Sequence, residues 1–512
     1  MNRPTTPLPP QPIIPAHSGE AAFEIENKFN LSSLTARILA VRGFASGPEL
    51  EAFLHPRLAR LERPEALADY EKAVSHLAGC VTAGEAIGVF GDYDSDGISS
   101  VSLWVLFFRA IRIQAVTRLA HRDRGYGLTI EDVEFFAASG VRTVIACDVG
   151  STDHEAVDAA NARGLELVIV DHHHLQAPYP KARALINPLR ADCAFPFPGM
   201  ASVGLSFYLM AGLRSRLEAD CRVPPADLPE LKDFLDIVAL GTLADVSPLT
   251  GNNRILVHHG LRLIAARKRP SLRALCVAAH IDPAEELTEK HVVFRMTPKL
   301  NAPGRMGDAE LSLQLLTAPD YQQALQIAGE LTRINERRQQ IQEQMFKEAV
   351  VQAEASMDYR WGIVVSGTDW HPGIVGIVAA KLAEQYKRPA IAIALRGDIG
   401  RGSVRTFGAI NIFEVISRTA EHLTSFGGHQ GAMGIELARE QLGDFARAFD
   451  DQLRGFAGDG SALPTPVDAL VPLHELNARF LEELKLLAPF GNQNPEPVLL
   501  SRELEVVSVR YP

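Results

Sequence analysis

Residues 86–106 read AIGVFGDYDSDGISSVSLWVL. Ile87–Phe90 has the length and apolarity of a buried strand, and the residues from about Gly97–Ser100 onward read as a helix. Between them, Asp92, Asp94 and Asp96 alternate along a loop. Alternating carboxylates at the carboxyl end of a strand bring hard oxygen donors to one point, a donor set that suits Mg²⁺ or Mn²⁺ better than zinc. The plainer reading is an acidic turn that caps a helix through its dipole.

The same pattern recurs downstream. Thr143–Cys147 (TVIAC) is a strand that ends on Asp148, and Leu167–Val170 (LVIV) ends on Asp171-His172-His173-His174. A further apolar stretch, Phe234–Leu240, leads to Asp245, with Pro248 barring a helix from running straight through. Taken singly, these are a helix cap, a solvated histidine run and a turn aspartate. Taken together they place acid and imidazole groups past the carboxyl ends of strands, where open parallel sheets form their ligand crevice. Short helices over Leu31–Thr82 preface this alternation of strands and helices, which defines an α/β fold.

Composition sets the bounds. A chain of 512 residues, 46% hydrophobic and 22% charged, has room for two to four ordinary globular domains. Its net charge of −11 excludes a uniformly basic nucleic-acid binder but leaves local basic patches open. Six prolines among the first fifteen residues, without a basic-then-apolar pattern, predict a disordered tail and no signal peptide. No apolar run approaches the ~18–20 residues of a membrane helix. Five scattered cysteines without CxxC pairing fit a reducing cytoplasm and give no zinc signature.

Tyr321–Ser356 carries Ile327, Leu331, Ile334, Ile341 and Met345 as one helical stripe, interrupted by Arg338, and predicts a spacer helix between domains. Beyond it, Gly362–Ser366 opens a second α/β unit, with a helix over Ile374–Tyr386 and a strand over Pro389–Leu395. Arg401, Arg405 and Gly427-Gly428-His429 are donors on flexible loops, suited to a close approach to phosphate. Gly455–Pro466 is a linker by composition.

In this order, GDYDSDG (Gly91–Gly97), ACDVGST (Ala146–Thr152), DHH (Asp171–His173) and GTLAD (Gly241–Asp245) resemble the four motifs of the DHH phosphoesterase superfamily. PKLNAPGRMGDA (Pro298–Ala309), RGSVRTFGAINI (Arg401–Ile412) and FGGHQGAMGIEL (Phe426–Leu437) resemble the RecJ single-strand-specific exonucleases within it. The resemblance covers about residues 40–512. It implies a parallel-sheet DHH domain joined by a long helix to a smaller α/β DHHA1 domain, followed by a partial OB-like segment. The expected boundaries are 1–30 for the tail, 31–320 for the DHH domain with its helical preface and 321–356 for the helix. DHHA1 would span 357–455, and the linker with the OB start 456–512. The stretch APFGNQNPEPVLL resembles the opening of the RecJ OB domain. A five-stranded barrel needs more than the one further strand expected over Leu504–Val509, so the domain is either truncated, the preferred reading, or vestigial, with weakened DNA affinity and processivity anticipated.

The resemblance also implies roles. Asp94, Asp96, Asp148, His172 and Asp245 would hold two ions, Mn²⁺ by preference with Mg²⁺ as a substitute. Asp92 would be a further ligand or stand just behind the ligands. Asp171 would orient His172 through its ring N–H, and His173 would face the scissile phosphate as donor or acid. Arg305, Arg401, Ser403, Arg405, Gly427, Gly428 and His429 would grip phosphates. Tyr126, in the loop His121-Arg122 to Gly125-Tyr126-Gly127, would stack on a base. Ser95, Ser151-Thr152 and Met433 depart from the usual pattern without removing a ligand.

The implied activity is metal-dependent removal of mononucleotides from the 5′ end of single-stranded DNA in repair and recombination. The protein would act as a cytoplasmic monomer, with a helicase and a single-strand-binding protein as partners. The alternatives are a DHH phosphodiesterase of short oligoribonucleotides or cyclic dinucleotides, a scaffold that has lost catalysis, and a pure single-strand-binding module.

Overall fold

The structure, a computed structural model, describes residues 12–13, 19–122, 125, 127–356, 361–456, 465–502, 504–505 and 507–508. The chain divides into two compact units, one of Pro15–Ile334 with Val467–Pro512 and one of Met1–Ile14 with Asn335–Pro466. No helix among the described residues is long and apolar enough to cross a membrane.

The first unit opens with α1 (Gly19–Phe29), α2 (Ser33–Val41) and α3 (Pro48–Leu54). The expected tail over 1–30 is therefore corrected: Gly19–Phe29 is helical because Ala22 and Ile25 are buried, a stripe that its charged neighbours mask in the sequence. After α4 (Tyr70–Ala83) comes a sheet of β1 (Ile87–Gly91), β2 (Ala115–Leu119), β3 (Thr143–Cys147), β4 (Glu166–Val170) and β5 (Ala184–Ile186). All neighbours are parallel and the order is 2-1-3-4-5. The order reverses between β1 and β3, so their carboxyl ends flank the crevice that such sheets use for ligands.

Both faces of the sheet are covered, which is why β1 and β3 read as continuous apolar runs. Ile87, Val89, Ile145 and Cys147 face a core shared with α4, α5 (Ser95–Ala110), α8 (Ser202–Ala219) and α9 (Leu235–Ala244). Phe90, Val144 and Ala146 face the other side, against α6 (Ile130–Ala138) and α7 (His154–Ala162). The unit continues through α10 (Gly251–Ala266), α11 (Pro270–Ala278), a π-helical turn His291–Met296, α12 (Thr297–Met306) and α13 (Glu310–Leu316).

The C-terminal segment, expected to open a partial OB-like domain, belongs with the first unit. Its α18 (Ala478–Leu487) and the two-residue parallel pair of Ala469–Leu470 with Leu499–Leu500 lie on the N-terminal helices. There Ala469, Val471, Phe480 and Leu487 share one core with Ile25, Leu34, Ile38 and Leu39. Polar clasps reinforce the seam. Glu483 accepts from the Ser32 N–H at 2.9 Å, and Arg42 pairs with Asp468 at 2.9 Å. Arg254 of α10 is buried and donates to the carbonyls of Phe53, Leu486, Leu487 and Pro489. The strand expected over Leu504–Val509 does not form at Leu504, Glu505, Val507 or Ser508, while Val506 and Val509 lie outside the described residues.

Tyr321–Ser356 is one helix of 36 residues, α14, whose residues from Asn335 onward belong to the second unit. Arg338 does not break its stripe. It is buried and donates to Gln342 at 2.6 Å and Asn335 at 2.7 Å along the helix. The sheet of the second unit comprises β6 (Ile363–Gly367), β7 (Ala390–Arg396), β8 (Ile399–Arg405), β9 (Ser425–His429) and β10 (Ala432–Ala438). Their order is 9-10-8-7-6, antiparallel except for β6 beside β7, and β9 is an exposed edge. Its core joins Ile391, Ile393, Val404 and Ile435 to Phe445 and Phe449 of α17 (Leu442–Phe456); α15 (Val375–Tyr386) and α16 (Ile412–Ser417) complete the unit.

Candidate metal centre

The first motif does two jobs at once. Asp94 is the N-cap of α5, its Oδ1 accepting from the N–H groups of Asp96 (2.9 Å) and Gly97 (3.2 Å). That cap starts the helix at Ser95, earlier than expected, and puts Asp96 in its first turn. Both oxygens of Asp96 accept from the start of α8, from Ser202 N–H at 2.7 Å and Val203 N–H at 2.9 Å. Gly97 is required by close approach, since a Cβ there would lie 2.5 Å from the Asp92 carbonyl oxygen.

Asp148 follows β3 with φ +64°, a left-handed conformation that aspartate tolerates better than most residues. Asp171 follows β4 and accepts from Ser151 N–H (3.1 Å), His172 N–H (2.8 Å), His173 N–H (3.2 Å) and His173 Nδ1 (2.8 Å). This corrects one expectation: Asp171 orients the ring of His173, and it touches His172 only through the main chain. Asn187, which the sequence reading passed over, braces this turn by donating to Ser151 Oγ and the His173 carbonyl, both at 2.9 Å. Asp245 caps the carboxyl end of α9 and accepts from Ser247 Oγ.

These groups converge. His172 Nε2 lies 3.2 Å from Asp148 Oδ1 and 3.8 Å from both Asp96 Oδ2 and Asp245 Oδ1. Three overlapping sets, Asp148/His172/His173, Asp96/His172/Asp245 and Asp92/Asp94/Asp148, each hold their ligating atoms within 4.8 Å of one another. Asp92 Oδ1, Asp148 Oδ1 and His172 Nε2 are buried polar atoms without a hydrogen-bond partner, and the 3.2 Å approach of the last two lacks hydrogen-bond geometry. Buried acceptors left in that state cost free energy unless something else neutralises them. A carboxylate-rich set with one or two imidazoles fits Mn²⁺, and Mg²⁺ less closely.

The electrostatics agree. Burial, and then the charge of Asp94, push the Asp92 carboxyl up to about 8. Burial and neighbouring aspartates likewise raise Asp96 and Asp148, and burial raises Asp245 against the pull of His172. Asp171 goes the other way: burial would raise it, yet His173 holds it below the usual carboxylate range. Burial opposes the charged form of His173, but Asp171 overcomes this and lifts it to about 9. So many raised carboxyls in one crevice mark a place built for positive charge.

Around this core, α12 docks on the first motif. Ser95 Oγ donates to Asn301 Oδ1 at 2.7 Å, and a Cβ on Gly304 would lie 2.4 Å from the Tyr93 carbonyl oxygen. Arg305 stands in the last turn of α12 and its charge reaches Tyr93. The Arg122 guanidinium covers the Tyr93 ring at 4.3 Å. Asp153, also unforeseen, anchors the following loop by accepting from Leu128 N–H at 2.6 Å. Tyr126 lies outside the described residues.

The remaining expected residues gather in the second unit. Arg401, Ser403 and Arg405 lie along β8, whose neighbour β10 pairs in turn with Gly427, Gly428 and His429 of β9. Arg401 forms an ion pair with Glu436 at 2.8 Å, the plain structural role open to any surface arginine. Arg405 is largely enclosed, donating to Ser403 Oγ at 2.7 Å, and burial lowers its pKa. Gly428 has φ +140°, and a Cβ there would meet the Ala432 carbonyl oxygen at 2.4 Å.

A doubly wound parallel sheet whose strand ends carry overlapping acid–imidazole sets at its switch point defines a divalent-metal phosphoesterase of the DHH class. The DHH family N-terminal domain matches residues 86–242, the DHHA1 domain 360–455 and the RecJ OB domain 467–511. The chain belongs to the RecJ family of single-stranded-DNA-specific exonucleases. It is 36% identical over 496 residues to the single-stranded-DNA-specific exonuclease RecJ of Dickeya dadantii, covering 94% of this chain and 85% of that one. The crystal structure of RecJ from Thermus thermophilus in complex with Mn²⁺ superposes with a TM-score of 0.83 at 28% identity, over 96% of this chain and 69% of that one. The same protein with Mg²⁺ gives 0.76 at 26% identity, over 95% and 67%.

Proposed function

We propose that this chain hydrolyses single-stranded DNA from the 5′ end to mononucleotides at a two-ion centre. Asp94, Asp96, Asp148, His172 and Asp245 are its ligands, with Asp92 as a further or adjacent one. The observation that carries this reading is the sharing of Asp148 and His172 between overlapping ligand sets, with Asp148 Oδ1 and His172 Nε2 both buried and without a hydrogen-bond partner. Bound divalent ions supply Lewis-acid stabilisation of the phosphoryl oxygens and a more acidic water.

The chain's own residues do the rest. Asp171 fixes His173 through Nδ1, which leaves Nε2 to hold a proton toward a phosphate oxygen. Arg305, Arg401, Ser403, Arg405, Gly427, Gly428 and His429 supply donors for the phosphates of an extended strand. The setting proposed is a cytoplasmic monomer in DNA repair and recombination, working with a helicase and a single-strand-binding protein.

The test is degradation of 5′-labelled and 3′-labelled single strands, with Mn²⁺ or EDTA, beside the matching duplexes and Asp148→Ala protein. Mn²⁺-dependent release of mononucleotides from the 5′ end of single strands, lost in Asp148→Ala, is expected. Release from the 3′ end overturns the polarity, and activity confined to very short oligoribonucleotides overturns the substrate.

A further inference from the structure

The helix α9 ends in an unusual way. Past its cap, Asp245, the chain turns at Val246 with φ +62°. Helices commonly end on a left-handed residue, but that residue is usually glycine, because a β-branched side chain there costs roughly 1–2 kcal/mol. Little side-chain packing offsets this, since Val246 is 59% exposed. A strained backbone persists only where its surroundings over-determine it.

The surroundings come from a distant part of the chain, 246 residues further on. Asn492 Nδ2 donates to the Val246 carbonyl at 3.0 Å, and the Asn492 carbonyl accepts from Leu249 N–H at 2.8 Å, so one residue grips the turn from both sides. The loop bearing Asn492 is itself firm. Gly491 and Asn494 exchange main-chain hydrogen bonds at 2.8 and 3.1 Å. Asn494 Nδ2 donates to the Leu487 and Pro489 carbonyls at 2.9 and 2.8 Å. Gly491 packs against Leu249 so closely that a Cβ would lie 2.8 Å from its Cδ1.

We infer that Asn492 is a positioning residue of the metal centre, holding Val246 in its strained turn so that the adjacent Asp245 faces His172 and Asp96. The GNQNP stretch of the C-terminal segment then serves the metal site, whatever else that segment does for DNA. This rests on the proposed role of Asp245 as a ligand.

The test is Mn²⁺ binding by calorimetry on the full chain, with steady-state cleavage of single-stranded DNA alongside. Asn492→Ala is expected to weaken Mn²⁺ by about 10–100-fold, as loss of groups that orient ligands does elsewhere. It should lower kcat, leave the KM for DNA nearly unchanged, and preserve the circular dichroism spectrum. Val246→Gly in the Asn492→Ala background is expected to restore most of the affinity, because glycine adopts the turn without being held. Wild-type Mn²⁺ affinity in Asn492→Ala overturns the inference, and so does failure of Val246→Gly to rescue. Asp245→Ala separates the two readings. If it leaves Mn²⁺ binding intact, the ligand role falls; if it abolishes binding while Asn492→Ala keeps wild-type Mn²⁺ affinity, only the positioning role falls.

Discussion

Asp92, Asp96, Asp148 and Asp245 share a crevice that solvent barely reaches, and each is pushed toward its neutral form. In the unfolded chain Asp92 ionises near pH 4, whereas in the fold it keeps its proton to about 8. The folded state therefore binds the extra proton across that interval, and metal-free stability must fall as pH rises from about 4 to about 8. His173, raised to about 9, adds to the same trend. EDTA-treated protein is expected to melt lower at pH 8.5 than at pH 6, with Mn²⁺ narrowing the gap; equal melting temperatures would refute it. Asp148→Asn should raise the melting temperature of the metal-free protein while abolishing the Mn²⁺-induced rise. At this scale the sequence was informative, because Asp92, Asp148, Asp171 and Asp245 each directly follow a strand or helix that its own apolar run announces. The partner of Asp171 was not legible, since adjacent histidines differ only by which ring the turn points inward.

At the scale of elements, two docking contacts govern the site. The helix α12 meets the first motif through Asn301 and Gly304, where only glycine fits against the Tyr93 carbonyl. Gly304→Ala is expected to lower kcat at least tenfold with a modest change in stability, because α12 must lift away from the loop that it braces; an unchanged kcat would show that the contact is incidental. Arg254 satisfies carbonyls of α3 and the end of α18 without an acidic residue among its hydrogen-bond partners. Arg254→Ala leaves those buried acceptors bare and is expected to destabilise the first unit by about 3 kcal/mol, read by denaturant titration. The sequence reading assigned neither helix and neither contact. Nothing in the periodicity of α10 distinguishes an arginine pointing into a core from one in solvent.

At the scale of the whole molecule, the first unit draws on two separate stretches of the chain, with most of the second unit lying between them in sequence. Calorimetry is expected to show Mn²⁺ raising the melting transition of the first unit, and a chain ending at Pro466 should lose that rise along with the core that Phe480 and Leu487 complete. A truncated chain that still binds Mn²⁺ with full affinity would contradict this. The alternation of strands and helices made the α/β class readable, and the apolar stripe made the long helix readable. The return of Val467–Pro512 to the N-terminal helices was not, because local pattern carries no record of which distant surface a segment covers. That return also has a consequence in time. As the polypeptide is synthesised, every proposed ligand from Asp92 to Asp245 emerges early, but the clamp at Asn492 and the lid on the N-terminal core follow only after the whole second unit has been made. A nascent chain thus carries the acids of a nuclease without the frame that aims them, and the cutting centre matures only once translation has passed that late segment.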